Sequence, residues 1–367
     1  MVGLGPGLGG MCNLIGSPFA GVLIDRLNRR TILMLSETIM GLSIMALGFL
    51  IVAGVLELWH IFVVSMIQGT MNGFLSPTRN TLMYDVVDRK SLVNAMAGQQ
   101  MANNISSIAG PLAAGFIMNA YGPGPLFLII GTIILLGTSL LMGVKGVKST
   151  ARKAKSFWLD FKDGVGFAVH DRPVRTVLWT VLITETLGFS SWTMYPVITR
   201  NVLDSGPIVL GLLSAVRGIG GMVGALSISS LGEIRIKGWA LMVSTFTFGL
   251  FILLFAWSSN LPLSLMILFI VGISGSIYDV LVFSLLQTLA PDEMRGRIMG
   301  FQTFLVSGVF LGSMVMGAVA SWLTVKWAVG AGGAVVSVNA LNIWPNANAI
   351  SERSFNPNST STKNDGG

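Results

Sequence analysis

The 367-residue chain is 52% hydrophobic and only 11% charged, and its formal net charge is +7. Soluble domains average about 25% charged residues, so this composition excludes an ordinary soluble enzyme, a nucleic-acid-binding domain and a disordered protein. The single cysteine, Cys12, excludes a disulfide framework and a cysteine-ligated metal cluster, and two histidines leave little for a metal site. The remaining class is a protein with several transmembrane segments.

Eleven segments are apolar over about the 20 residues that a helix needs to cross a bilayer. Their continuous apolar runs indicate helices, because a membrane β-barrel would alternate polar and apolar residues. The last run is the weakest, since Asn339 and Asn342 interrupt it. The predicted spans are 1–22, 31–54, 58–78, 95–119, 125–145, 176–196, 207–228, 238–257, 262–287, 298–322 and 327–344.

Lysine and arginine are concentrated in the loops that follow the odd-numbered spans, whereas the opposite loops hold only Arg200 and Lys326. The positive-inside rule places the basic loops in the cytoplasm. We therefore expect a multi-pass protein of the plasma (inner) membrane that begins outside. Its tail, 345–367, is then cytoplasmic, and its Asn, Ser and Thr content predicts disorder.

A basic stretch, 146–175, separates five spans in 1–145 from six in 176–344. Apolar residues at helical spacing predict an amphipathic helix there, lying on the cytoplasmic membrane surface. The stretch is either a tether between two helical bundles or a lipid-sensing element. The apolar residues are Trp158, Phe161, Val165 and Ala168.

Equivalent points of the two halves carry glycine, at Gly21 and Gly224 and at Gly69 and Gly272. Repeated halves are typical of secondary transporters, which bind substrate near the bilayer midplane. Five spans followed by six would then mean that one leading helix is missing from a symmetric set.

The loop after the first span reads GVLIDRLNRR over 21–30. It resembles the signature G-x-L-x-D-R-x-G-R-R of the major facilitator superfamily, between its second and third helices. Asn28 stands where the family has a second glycine, and asparagine tolerates a left-handed turn. A basic loop that merely follows charge topology is the alternative. The resemblance implies a cytoplasmic gating loop formed by Gly21, Asp25, Arg26, Arg29 and Arg30.

Other motifs resemble the enterobactin-exporter and macrolide-efflux branch of that family, including SPTR at 76–79 and PDEMRGR at 291–297. The sequence GPLAAG at 110–115 resembles the antiporter motif of the fifth family helix, and implies a hinge formed by Gly110, Pro111 and Gly115. A kink and close-packing site is the alternative. The resemblance implies an all-α major facilitator fold with two pseudo-symmetric bundles, about 11 transmembrane helices here and 12 in the family.

Charged residues inside spans are costly and usually face a cavity or a partner. Glu185 and Arg217 lie near the midplane of consecutive antiparallel spans, so we expect a switchable pair that lines the cavity, or else a static ion pair. Asp279, in the cytoplasmic third of its span, is a second candidate for proton or cation binding. By register with relatives, Ser65 replaces a membrane-embedded arginine, which argues against proton coupling by that route.

Several remaining side chains have expected roles at the ends or walls of the bundles. Glu37, Arg79 and Asp85 lie near cytoplasmic helix ends and are expected to join the charge network around Asp25. Phe189 and Trp192 are expected to line a pocket, although tryptophan also favours the membrane interface.

These observations predict a monomeric secondary transporter without a cofactor or metal, coupled to protons, that exports an amphipathic drug, macrolide or siderophore by alternating access. An enzyme is disfavoured because His60 and His170 lie far apart and form no catalytic set. No G-x-x-x-x-G-K-[ST] loop for an ATP-driven pump is present. A non-transporting homologue that acts as a sensor or assembly partner is the alternative.

Overall fold

The computed structural model describes residues 5–14, 16, 28–86, 92–143, 166, 169–231 and 235–355. All regular secondary structure in these ranges is helical, which confirms the predicted all-α fold. The chain forms two compact units. The first comprises Met1–Phe157 with Ser205–Leu212, and the second comprises Trp158–Asp204 with Leu213–Gly367.

The helices that precede residue 144 follow the predicted spans closely. They are α1 (5–14), α2 (Arg29–Val52), α3 (Leu58–Val86), α4 (Leu92–Tyr121) and α5 (Pro123–Leu140), with a 3₁₀ turn at Leu141–Gly143. Most of the basic stretch 146–175, including Trp158, Phe161, Val165 and Ala168, lies outside the described residues.

The later helices are shorter and more often interrupted. They are α6 (Arg172–Ile183), α7 (Tyr195–Asn201), α8 (Pro207–Ser230), α9 (Lys237–Trp257), α10 (Leu261–Leu289), α11 (Asp292–Val306), α12 (Gly308–Trp322), α13 (Val325–Ala340) and α14 (Ala347–Phe355). Side-chain caps fix two of their starts. The Asp171 carboxylate accepts a hydrogen bond from the Val174 amide at 3.1 Å, and the Asn260 side chain accepts one from the Leu263 amide.

Six stretches of helix in the described part of the chain are long and apolar enough to cross a membrane. Each needs about 20 residues because a helix rises 1.5 Å per residue through a hydrocarbon layer of about 30 Å. They are Arg29–Val52, Pro123–Gly143, Pro207–Ser230, Lys237–Trp257, Leu261–Leu289 and Met294–Trp322.

The predicted span 176–196 is not one regular helix, and this corrects the sequence analysis. After α6 the backbone becomes a π-helix over Thr184–Gly188 and a 3₁₀-helix over Phe189–Met194, before α7 resumes. Pro196 lies in the first turn of α7, where its missing N–H removes no helical hydrogen bond, and its ring disfavours a regular α-helix in the turn before it. The π segment carries Glu185.

The predicted span 298–322 is divided at Ser307, between α11 and α12. The Ser307 amide donates to the carbonyl of Phe304, and its hydroxyl donates to the carbonyl of Thr303 at 3.3 Å. Hydrogen bonding of a serine hydroxyl to a preceding turn bends helices. The last predicted span ends as α13 at Ala340, and a 3₁₀ segment, Leu341–Asn346, follows.

The tail predicted to be disordered from residue 345 is ordered as far as Phe355. Helix α14 buries Ile350, Ser351 and Ser354. The Arg353 guanidinium pairs with Asp171 at 2.5 Å and donates to the carbonyl of Leu289. Burial of one face of α14 and the ion pair between Arg353 and Asp171 therefore hold this segment in place, although its Asn, Ser and Thr content predicted disorder. Residues 356–367 lie outside the described ranges.

In the second unit, α9 and α13 pack closely because Gly249 and Gly333 face each other. A Cβ atom on either glycine would lie 2.6 Å from the other's carbonyl oxygen. Pairs of tryptophans in edge-to-face contact lie near both ends of α9. The rings of Trp239 and Trp344 lie 5.3 Å apart at one end, and those of Trp257 and Trp327 lie 5.5 Å apart at the other.

Candidate functional site

A cavity of about 680 Å³ lies within the second unit. Its walls are mainly apolar and aromatic, with two carboxyl groups, two hydroxyls and two amides among them. The lining residues are Glu185, Phe189, Trp192, Tyr278, Asp279, Val280, Val282, Phe283, Ser284, Gln287, Gln302, Val306 and Val309. Volumes of about 300–1,000 Å³ are typical of pockets for small molecules.

Glu185 reaches the cavity from the π segment and is only 6% exposed. Helix α12 positions this segment. Gly308 and Gly312 lie against Thr186, and a Cβ atom on Gly312 would overlap the Thr186 carbonyl oxygen. Glycine at position 312 therefore allows the backbone next to Glu185 to approach α12 closely. Irregular turns of this kind inside helices are frequent at functional sites.

Asp279 reaches the same cavity from α10, and its side chain is accessible. Glu185 and Asp279 interact electrostatically. Glu185 and Asp279 were predicted as separate candidates, and their position in one cavity was not predicted. Both were detectable as charges inside apolar spans, but nothing in the local sequence shows that the π segment and α10 bring them together.

Arg217 does not form the expected pair with Glu185. Among the described side chains, no ion pair joins the two residues; instead, the Arg217 guanidinium carbon lies 3.6 Å from the centre of the Trp192 ring. The guanidinium is also attracted electrostatically to Asp279. The large aromatic face next to Arg217 offers a cation–π contact that the sequence analysis did not consider.

The predicted aromatic residues Phe189 and Trp192 both line the cavity. Their ring centres lie 5.1 Å apart in an edge-to-face arrangement. Phe189 also contacts Phe248, at 4.7 Å, and Tyr278, at 5.9 Å. The lining aromatic rings are thus held by a buried aromatic cluster rather than by a mobile loop.

The described part of the predicted gating loop begins at Asn28, and Gly21, Asp25 and Arg26 lie outside it. Asn28 is extended rather than left-handed, with φ −65° and ψ 118°, because its side chain caps α2 by accepting a hydrogen bond from the Arg30 amide. The left-handed turn that we expected there is therefore wrong. Arg29 is buried, and the Arg30 guanidinium donates to the carbonyl of Met142.

Glu37 and Arg79 form an ion pair at 3.1 Å in the first unit. The Glu37 carboxylate also accepts a hydrogen bond from the hydroxyl of Thr138 at 3.2 Å. These contacts join α2, α3 and α5. The side chain of Asp85, the third residue of the expected network, lies outside the described part of the structure.

The predicted hinge residues Gly110, Pro111 and Gly115 lie within the continuous helix α4. In the first unit, a Cβ atom on Gly115 would lie 2.7 Å from the Pro207 carbonyl oxygen. This close approach favours the packing interpretation of the motif. Ser65, the position of the missing arginine, lies on α3 against Gly9 of α1.

Within the described ranges, no cluster of three or more His, Cys, Asp or Glu side chains could hold a metal ion. The polar groups of the cavity can exchange protons, carry charge and donate or accept hydrogen bonds. They suit reversible binding of a small molecule between apolar walls.

Comparisons with known proteins agree with this description. Residues 1–312 match the Major Facilitator Superfamily. The chain is 25% identical over 322 residues to the uncharacterized MFS-type transporter YuxJ of Bacillus subtilis, covering 84% of this chain and 79% of YuxJ. It is 23% identical over 338 residues to the multidrug resistance protein MdtG of Escherichia coli, covering 90% of this chain and 80% of MdtG.

Solved structures show the same fold at low sequence identity. A mutant of the nucleoside transporter NupG has a TM-score of 0.72 at 14% identity, covering 95% of this chain and 89% of NupG. A POT family transporter in complex with 5-aminolevulinic acid has a TM-score of 0.73 at 13% identity, covering 94% of this chain and 87% of that transporter. The chain belongs to the major facilitator superfamily of membrane transporters.

Proposed function

We propose that this transporter exports an amphipathic small molecule, of the size of a drug, macrolide or siderophore, in exchange for protons. The observation that carries the proposal is the presence of both Glu185 and Asp279 in one apolar cavity of the second unit. The protein works as a monomer in the plasma (inner) membrane, with its C-terminus in the cytoplasm.

The two carboxyl groups supply the coupling. Acidic side chains inside membrane spans are costly, and where they occur they mark ion or proton pathways. A carboxyl group of Glu185 or Asp279 releases its proton before substrate binds and takes up a proton when substrate leaves. Because the two groups interact electrostatically, a change in the charge of one alters the proton affinity of the other.

The cavity wall supports an amphipathic substrate. Apolar and aromatic side chains provide a surface for a hydrophobic body, and a few convergent polar groups orient it. The name of the relative MdtG, a multidrug resistance protein, agrees with an efflux role. We assign Gly21, Asp25, Arg26, Arg29 and Arg30 to cytoplasmic gating, assisted by the ion pair between Glu37 and Arg79.

The test uses inverted membrane vesicles with an imposed proton gradient. Uptake of a macrolide, a catecholate siderophore and a panel of amphipathic drugs is measured for the wild type, Glu185→Gln and Asp279→Asn. We expect gradient-dependent uptake by the wild type and loss of the gradient dependence in at least one variant. Glu352→Gln, an exposed acid on α14, is the matched control and keeps wild-type uptake.

Two outcomes contradict the proposal. Gradient-driven uptake that survives in both Glu185→Gln and Asp279→Asn places coupling elsewhere. Absence of uptake of every compound by folded wild-type protein favours the non-transporting sensor or assembly partner instead. Folding is checked for each sample by gel filtration of the detergent-solubilised protein.

A further inference from the structure

We infer that helix α14 positions the second-unit cavity by fastening the start of α6, the start of α9 and the end of α10 to one another. In this arrangement Arg353 and Asp171 are positioning residues, which act on the cavity through the helices that they join. The inference concerns how the cavity is held in shape, and only its consequence for uptake rests on the proposed function.

Helix α14 is seated against the start of α9. The Ser351 hydroxyl accepts a hydrogen bond from the Gly238 amide at 3.0 Å, and the Asn348 side chain accepts one from the Trp239 indole at 2.7 Å. Amides in the first turn of a helix have no partner within that helix, so Ser351 satisfies one of them. A Cβ atom on Gly238 would overlap the Ala347 carbonyl oxygen. Glycine at position 238 therefore allows α14 to lie directly on the backbone of α9.

Arg353 joins the start of α6 to the end of α10. Its guanidinium pairs with Asp171 at 2.5 Å and donates to the carbonyl of Leu289, the last residue of α10, at 3.2 Å. The second oxygen of Asp171 caps α6 by accepting a hydrogen bond from the Val174 amide. Both side chains of the ion pair are mostly buried, so water and salt screen it weakly. One planar guanidinium thus binds the capping acid of one helix and the carbonyl end of another.

Two further contacts hold the same segment. The Asn346 amide, just before α14, donates a hydrogen bond to the hydroxyl of Thr176 on α6 at 2.9 Å. The side chain of Ile350 is fully buried, and α14 packs on both α9 and α10. The segment 346–355 therefore contacts all three helices, so a displacement of one helix relative to the others breaks some of these contacts.

The two helices joined by Arg353 both lead to the cavity. Helix α6 continues into the π segment that carries Glu185, and α10 carries Asp279. Gln287, another lining residue, lies two residues before Leu289, which is about 3 Å along a helix axis. Arg353 is not among the described lining residues, so it acts on the cavity through α6 and α10 rather than by touching its contents.

The first test measures how easily a reagent reaches the cavity wall next to Leu289. The single cysteine is removed by Cys12→Ser, and Gln287→Cys places a thiol on the lining. Purified full-length protein in detergent is treated with N-ethylmaleimide, without substrate or gradient, and the rate of alkylation is measured. We expect Arg353→Gln to raise this rate about tenfold, because the loss of charge-assisted hydrogen bonds makes local opening more frequent.

Conservative variants separate the ion pair from other effects. Asp171→Asn keeps an acceptor for the Val174 amide, and so the cap of α6, but loses the charge. We expect it to raise the alkylation rate, and to add nothing when combined with Arg353→Gln, because the pair is then already broken. Arg353→Lys keeps the charge without the planar guanidinium and is expected to give an intermediate rate. Glu352→Gln, an exposed acid on the same helix, is the matched control and keeps the wild-type rate.

A purely stabilising role for α14 would give a different result. Folding of each variant is checked by gel filtration, and its midpoint of thermal unfolding is measured in parallel. Folded Arg353→Gln and Asp171→Asn that have lower midpoints but the alkylation rate of the parent protein would overturn the inference. Helix α14 would then contribute stability without positioning the cavity wall.

Uptake shows whether the position of the wall matters for transport. The inverted-vesicle assay with the macrolide, siderophore and drug panel is repeated for Arg353→Gln and Glu352→Gln with the native Cys12 and Gln287. For each compound that the wild type takes up, we expect Arg353→Gln to raise KM about tenfold, with a smaller change in the maximal rate per folded molecule. Glu352→Gln is expected to keep the wild-type KM.

The two assays separate this inference from the proposed function. Faster alkylation of Arg353→Gln together with an unchanged KM contradicts a positioning role for Arg353 and leaves export intact. Faster alkylation of Arg353→Gln, with no uptake of any compound by the folded wild type, contradicts proton-coupled export and supports the fastening of the helix ends by α14.

Discussion

Trp192 has two neighbours of different chemistry. One is the cavity that its ring helps to line, and the other is the guanidinium of Arg217, 3.6 Å from the ring centre. A cation–π contact away from bulk water stabilises by about 2 kcal/mol, more than the same contact at a surface. The ring therefore provides a favourable position for a charge that would otherwise be costly inside a membrane span.

We predict that Trp192→Leu destabilises the protein, because Arg217 loses its aromatic partner and the leucine fills less volume. The expected loss is about 1–3 kcal/mol, measured as a lower midpoint of thermal unfolding in detergent. Trp192→Phe keeps a ring and is expected to lose less. Trp322→Leu is the control, since Trp322 is 89% exposed. Equal midpoints for Trp192→Leu and Trp322→Leu would show that Arg217 gains nothing from the ring.

The candidate site was only partly predictable from its residues. Glu185, Asp279, Phe189 and Trp192 were recognisable because charges and large aromatics inside apolar spans have few reasons to be there. That Glu185 and Asp279 share a cavity, and that Arg217 contacts Trp192 instead of Glu185, depends on how separate helices pack. Sequence spacing gives depth along a helix, but not the direction in which neighbouring helices face each other.

The irregular segment from Thr184 to Met194 shows the same limit for a structural element. Continuous apolarity predicted one helix, and the effect of Pro196, which disfavours a regular helix in the turn before it, was not considered. The interruption is maintained by packing from outside the segment, since Gly308 and Gly312 of α12 lie against Thr186. Helix α14 is comparable, because its anchor, Asp171, lies far away in the sequence.

We predict that Gly312→Ala displaces the π segment, because its Cβ atom would overlap the Thr186 carbonyl oxygen. Overpacking of this kind costs about 1–3 kcal/mol. We expect a lower midpoint of thermal unfolding and faster hydrogen exchange of the backbone over 184–194. The matched control is Gly300→Ala on α11, where a Cβ atom would have no neighbour within 4 Å. If both variants unfold and exchange alike, α12 does not position the segment.

In the second unit, pairs of tryptophans lie near the two ends of α9, where the interfaces of a membrane are expected. Trp239 and Trp257 lie on α9, eighteen residues apart, which corresponds to about 27 Å along a helix. Trp239 makes an edge-to-face contact with Trp344, and Trp257 makes one with Trp327 at the start of α13. Tryptophan favours the two interfaces of a hydrocarbon layer about 30 Å thick. The spacing of these two tryptophan pairs therefore matches a bilayer crossed by α9.

The direction of crossing is set by charge rather than by packing. Basic residues are concentrated in loops on the side where α6 and α9 begin, whereas the opposite loops hold only Arg200 and Lys326. Positive charge near span ends is retained in the cytoplasm during insertion. We therefore predict that the segment after α14 is cytoplasmic. Fusion of green fluorescent protein to the C-terminus is expected to fluoresce, and fusion of alkaline phosphatase there to be inactive.

The loop after α7 provides the opposite control, because Asp204 lies between α7 and α8 on the side with few basic residues. Alkaline phosphatase fused after Asp204 is expected to be active, since this enzyme requires export, and green fluorescent protein fused there to be dark. An active phosphatase at the C-terminus together with an inactive one after Asp204 would show that the orientation is the reverse of the predicted one. The direction of proton-driven export would not change, because the proton gradient and not the orientation of the protein sets it, but the two ends of the protein would face the opposite compartments.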